Sequence, residues 1–153
     1  MRRAFVALCS VVFLLAVFAP GAVAKGPPVP VTITSTMVSV PDNGNQGTFH
    51  VDGTAPICSD GLVFDINYVF GANLPGKVRE IQVTKAFACN DVDVFLVKMK
   101  VHEDLALGTE RFTWVIFKGF GAYQGLHGEG NGSTVSDNWA TGPWINTYLG
   151  SMH

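Results

Sequence analysis

The run "KGFGAYQGLHGEGNGS" (118–133) carries glycine at positions 119, 121, 125, 128, 130 and 132, the residue type that phosphate-cradling loops require. A dinucleotide loop needs G-x-G-x-x-G between a strand and a helix. Here Gly119-Phe120-Gly121 is followed by the next glycine only at Gly125, one residue late, and the downstream "NGSTVSDNWATGPW" is not helical. No Gly-Lys-Ser/Thr occurs, so the P-loop pattern fails as well. The chemistry left to Gly119, Gly121, Gly125, Gly128 and Gly130 is structural: positive φ at bends and close backbone contact in a curved sheet. Tyr123 and Leu126 then act as anchors between bends.

Other clusters are weaker still. Asp91 and Asp93 could offer calcium two carboxylates, but calcium wants six or more oxygens, and such a pair reads as a solvated strand end. His102-Glu103-Asp104 reads as a solvated corner. His127-Gly128-Glu129 is the better acid–base candidate because it lies in the glycine-rich bend, although it has no partner in view. His50 belongs on the surface of a short strand. No G-x-S-x-G elbow is present. Neither a metal site nor a cofactor is expected, and no catalytic residue is assigned. Asn131-Gly132-Ser133 is a formal glycosylation sequon. Tyr68, Trp114 and Tyr123 are the aromatic residues that could line a ligand pocket, unless they simply fill the core.

The start of the chain, "MRRAFVALCSVVFLLAVFAPGAVAKG", sets the compartment. Arg2 and Arg3 precede an apolar run from Ala4 to Phe18, and Ala22-Val23-Ala24 provides small residues for cleavage. Residues 1–24 are expected to be a secretory signal peptide, leaving Lys25 as the mature N-terminus in an extracellular or periplasmic protein. The apolar run falls short of the ~20 residues a transmembrane anchor needs. Cys9 leaves with the signal, and Cys58 and Cys89 remain. In an oxidising compartment two such cysteines pair; a metal pair would need further Cys or His nearby. The loop they would close, ~30 residues, corresponds to roughly 3–4 kcal/mol in the chain-entropy model.

Without Arg2 and Arg3, eight basic residues face twelve acidic ones, a net charge near −4. The remaining cations are scattered along the sequence, with no basic stripe for a nucleic-acid backbone. Nothing after the signal is apolar for long enough to span a membrane as a helix.

The elements that must position these residues are strands. A proline-rich lead-in, 25–30, precedes one domain over 31–153. The hydrophobic period is two. "VTITSTMVSV" aligns Val31, Ile33, Ser35 and Met37; "TFHV" is short; "GLVFDINYVFG" aligns Leu62, Phe64, Ile66, Tyr68 and Phe70 opposite Asp65 and Asn67. "KVREIQVTKAFAC" aligns Arg79, Ile81, Val83, Lys85 and Phe87. "DVDVFLVKMKVH" aligns Phe95, Val97, Met99 and Val101, "RFTWVIFKG" aligns Phe112, Trp114 and Ile116, and "WINTYLG" closes the chain. "HEDLALGTE" is a turn or wide hairpin, and "NGSTVSDNWATGPW" reads as polar turn and broken strand. Seven or eight short strands with turn residues between them predict an all-β sandwich or barrel.

The pattern Gly-x-Gly-Ala-Tyr-x-Gly-Leu-x-Gly-x-Gly (119–130) after a strand resembles the signature of secreted bacterial barrels related to plant allene oxide cyclases and dirigent proteins. Phe120 stands where their usual Gly-Thr-Gly-x-Tyr/Phe form has threonine. "GTAPICSDG" (53–61) and "KAFACNDVDVFLVKM" (85–99) resemble the two cysteine segments of the bacterial members. The resemblance spans most of 48–132 and implies a single antiparallel barrel of about eight strands, with any ligand in the barrel mouth. Fold alone does not name a function. The leading expectation is a secreted, non-enzymatic barrel that binds a small apolar molecule or a protein partner. One alternative is a cyclase or stereo-directing, dirigent-like enzyme that works by confining its substrate; another is a homo-oligomeric structural module. A cavity lined by a carboxylate would favour the enzyme, and a filled barrel would oppose it.

Overall fold

The computed structural model describes residues 26–74 and 78–153. The expected signal peptide and Lys25 lie outside them. Eight strands run in chain order: β1 (Val29–Val40), β2 (Gly44–Asp52), β3 (Asp60–Leu74), β4 (Val78–Ala88), β5 (Val94–Asp104), β6 (Thr109–Gly119), β7 (Gly128–Ser136) and β8 (Trp144–Met152). Each pairs antiparallel with the next, and β8 pairs back onto β1, from Val29↔Met152 to Met37↔Trp144, closing an up-and-down barrel. β1 begins at Val29, inside the proline-rich lead-in, because Val29 and Pro30 already sit in the ladder with β8.

Alternation decides which side chains face inward. Val31, Ile33, Ser35 and Met37 of β1, Phe95 to Val101 in alternation on β5, and Phe112, Trp114 and Ile116 of β6 are all buried. The outer faces mix polar residues such as Thr36, Lys98 and Lys100 with exposed apolar ones such as Val38, Val115, Phe117 and Leu149. No helix among the described residues is long and apolar enough to cross a membrane.

The expected faces of β3 hold only in part. Val63 and Asp65 point inward, and Leu62 and Ile66 point outward and are exposed. The register against β4 slips between Asp65↔Lys85 and Asn67↔Thr84, so Ile66 is an extra residue, a β-bulge. The bulge reverses the phase, which returns Tyr68 and Phe70 to the inner side alongside Asp65. Strict alternation would have separated Asp65 from Tyr68.

The glycine-rich stretch is also more regular than bends alone would make it. Gly121–Tyr123 forms a 3₁₀ turn, and Gly121 (φ 60°) and Gly125 (φ 84°) have the left-handed backbone of bends. Gly128 and Gly130, however, belong to β7, which runs unbroken to Ser136, in place of the broken strand the sequence predicts. They are glycines because there is no room for more: a Cβ on Gly130 would run into the Leu149 carbonyl, and one on Gly132 into the Phe112 ring. Gly119 is likewise pressed against the backbone of Tyr123.

The barrel interior is divided into two halves. At the end bearing the β2–β3, β4–β5 and β6–β7 connections, aromatic rings fill it. Phe87 stacks on Phe95 at 5.0 Å, Phe49 meets Phe87 edge-on at 5.2 Å, and Tyr123 closes on Phe95 at 5.6 Å. The Cys58–Cys89 disulfide seals this end, with Cα atoms 6.0 Å apart. The Tyr123 hydroxyl accepts the Cys58 N–H at 3.0 Å and lies 2.9 Å from Cys89 Sγ. Such a bond is at home in an oxidising compartment.

Candidate functional site

The opposite end, bearing the β1–β2, β5–β6 and β7–β8 connections, is open among the described residues. Its cavity measures about 460 Å³. Met37, Ile81, Val83, Met99 and Val101 form the apolar floor, and Phe70, Trp139 and Trp144 stand around the rim. Phe112, Trp114 and Tyr148 fill the barrel below, with Phe112 and Tyr148 rings 5.0 Å apart and Trp114 6.2 Å from Tyr148.

Three polar groups are set into this apolar wall. The first is centred on Asp65. Lys85 Nζ lies 2.5 Å from Asp65 Oδ1, and the two side chains are 5% and 3% exposed. Tyr68 Oη donates to Asp65 Oδ2 at 2.5 Å, and Asn45 Nδ2 donates to the same oxygen at 3.0 Å. Lys85 also donates to Met37 Sδ at 3.0 Å. A buried charge persists only when paired and hydrogen-bonded, and this carboxylate has three donors. Burial, and then the Asp65 charge, push the Tyr68 phenol well above its ordinary range, so it stays a donor.

The second group is the rim pair Arg79–Glu103, with Arg79 Nε donating to Glu103 Oε2 at 2.6 Å. The Arg79 guanidinium also sits 5.2 Å over the Phe70 ring. The sequence predicts a solvated corner for Glu103; its position opposite Arg79 in the β4–β5 ladder turns it into the mouth instead, with its side chain 14% exposed.

The third group runs along the wall formed by β7, β8 and β1. Thr134 Oγ1 donates to Asn146 Oδ1 at 3.0 Å, and Asn146 Nδ2 donates to Ser35 Oγ at 3.1 Å. Glu110, from β6, also lines the cavity and forms no ion pair among the described residues. Burial, followed by repulsion from Glu103, holds its carboxyl above the usual carboxylate range, against the nearby Lys85 and Arg79 charges. The cavity thus has two compensated cation–anion pairs and one carboxyl, Glu110, with no ion-pair partner among the described residues.

Of the three aromatic residues singled out in the sequence, Tyr68 lines this cavity. Trp114 is 3% exposed within the packed middle of the barrel, its indole N–H donating to the Asn131 carbonyl at 3.2 Å. Tyr123 belongs to the aromatic plug at the far end. His127 and Glu129 are exposed, and the His127 ring stacks on His153 at 5.7 Å rather than facing a cavity. His50 is on the surface, paired with Asp60 at 2.6 Å, which raises its pKa. Asp93 uses its carboxylate to accept the Ala122 N–H at 2.7 Å and the Asn90 amide at 2.7 Å, and these bonds lower its pKa. Asp65, Lys85, Glu110 and Asn146 belong to no motif in the sequence and gain their place in the site only through folding. Lys85 does carry a signal: it falls in phase with Ile81, Val83 and Phe87, where a lysine must enter the barrel.

Comparison with protein-family models, with curated proteins and with solved structures finds no match for this chain. The class established is an all-β, closed, eight-stranded antiparallel barrel with one filled end and one open end.

Proposed function

We propose that the chain is a secreted barrel of the allene oxide cyclase-like and dirigent-like type, and that its open end binds a small, mostly apolar molecule carrying a hydrogen-bonding group. One observation carries this reading: an apolar-floored cavity of about 460 Å³ into which a fully compensated Asp65–Lys85–Tyr68 cluster is built. Ligand sites have this composition, apolar walls with a few fixed polar groups, and a volume in this range. An eight-stranded barrel has room for one such ligand when its interior is not filled.

Trp139 and Trp144 at the rim provide the readout. Titration with 2-naphthol, an apolar ring with one hydroxyl, is expected to quench tryptophan fluorescence saturably. Val83→Phe, which fills the floor, is expected to weaken that binding at least tenfold. Saturable binding that Val83→Phe leaves unchanged would place the ligand elsewhere and defeat the reading.

Glu110 favours a second reading, a cyclase or stereo-directing enzyme, because its protonatable carboxyl faces the same confined space. A substrate that cyclises or couples spontaneously to a racemate should then give an enantiomeric excess in the presence of the protein. A racemic product from the parent protein at saturating concentration would defeat it.

A further inference from the structure

The cations that are scattered in the sequence converge in space. Among the described residues, Arg79 and Lys85 turn into the cavity and pair with acids, whereas Lys98, Lys100, Arg111 and Lys118 are all exposed on two neighbouring strands, β5 and β6. The other outward acids, Asp42, Asp52, Asp60, Asp91, Asp93, Asp104 and Asp137, lie in or beside turns, and only Glu80 and Glu129 flank the basic face from β4 and β7. Glu80 is engaged by Lys100 at 3.1 Å. An acidic chain therefore presents one basic wall.

That wall is also apolar. The β5–β6 register slips between Leu96↔Lys118 and Val97↔Ile116, so Phe117 is an extra residue. The bulge turns both Phe117 and Lys118 outward. Phe117 and Phe120 remain 43% and 41% exposed, with Val115 at 42% beside them. Lys98 Nζ sits 4.7 Å over the Phe117 ring and Lys118 Nζ 4.9 Å over Phe120. On the same face a shallow depression of about 650 Å³ is bordered by Lys98, Lys100, Thr113, Val115 and Glu129.

We propose that the outer face of β5 and β6 docks on an anionic lipid surface, with Lys98, Lys100 and Lys118 meeting headgroup phosphates and Phe117 and Phe120 entering the interface. Lysines with interleaved phenylalanines match that surface in both charge and polarity, whereas a purely polar polyanion would leave the rings unused. This docking is independent of the ligand cavity, because its residues point out of the barrel.

The test is cosedimentation of the exported protein with vesicles of phosphatidylcholine, with and without one third phosphatidylglycerol, at low and high salt. Binding is expected only to the anionic vesicles and is expected to fall with salt. Lys98→Gln and Lys118→Gln should each weaken it roughly fivefold. Phe117→Ser with Phe120→Ser should weaken it at least as much. Val38→Ser, on an exposed apolar position of β1 across the barrel, should leave it unchanged. These positions are all on the surface, and circular dichroism confirms folding of each variant. Equal binding to both vesicle types, or binding that survives the two lysine changes combined, overturns the proposal. So does binding to dextran sulfate or duplex DNA, without vesicle binding, that depends on the lysines but not on the phenylalanines.

Discussion

Lys85 and Asp65 stand directly opposite each other across the β3–β4 ladder, both turned into the barrel, with Nζ 2.5 Å from Oδ1. Neither could be buried there alone. Lys85→Met leaves the Asp65 carboxylate in place with its cation gone, and unfolding in urea is expected to show a loss of about 3–5 kcal/mol. The double replacement Asp65→Leu, Lys85→Met removes both charges and is expected to recover most of that loss. A single change costing under about 1 kcal/mol would mean that solvent reaches the pair.

Glu110 gives the cavity a pH response. Its folded-state pKa lies above the ordinary value, chiefly through burial. Its contribution to stability is therefore fully present below the unfolded pKa and is lost as pH rises through the folded one. Glu110→Gln should raise the Tm relative to the parent at pH 8 and leave it nearly unchanged at pH 4. A Tm difference of the same size at both pH values would show that the carboxyl titrates normally.

The glycines of 118–133 separate into two mechanisms that alanine substitution distinguishes. Gly125 has φ 84° and open space where a Cβ would stand, so Gly125→Ala carries only the left-handed backbone penalty, about 1–2 kcal/mol. Gly121 has φ 60°, and its Cβ would also strike the Asp93 carboxylate and the Val92 carbonyl. Gly121→Ala should therefore cost more than Gly125→Ala in thermal or urea unfolding. Equal costs would mean that the 3₁₀ turn moves aside freely.

The disulfide seals the filled end and should behave as a structural bond. Reduction should add two hydrogens to the intact mass. Cys58→Ala with Cys89→Ala should cost about 3–4 kcal/mol, the loop-closure value for ~30 residues. Tyr123→Phe, which removes the hydroxyl accepting the Cys58 N–H, should cost about 1 kcal/mol. Free thiols in protein prepared under oxidising conditions would contradict the pairing.

Much of the barrel is legible in the chain because alternation is a local property. The faces of β1, β5 and β6 follow from spacing alone, since each residue's side is set by its parity along the strand. The disulfide partners are legible because Cys58 and Cys89 are the two cysteines outside the segment that reads as a secretory signal. The rejection of a nucleotide loop needs nothing more than glycine spacing. The strand β7 is not legible: glycines at 128, 130 and 132 carry no hydrophobic signal, and they are tolerated there only because the Phe112 ring and the β8 backbone occupy the space a side chain would need. The inner position of Tyr68 depends on the bulge at Ile66, which is set by pairing with β4 and has no mark in β3 itself. The open mouth, and the meeting of Asp65 with Lys85, Arg79 with Glu103 and Lys98 with Phe117, depend on the register between neighbouring strands and on closure of the barrel. Parity along one strand tells which way a residue points; only the closed sheet determines what it finds there.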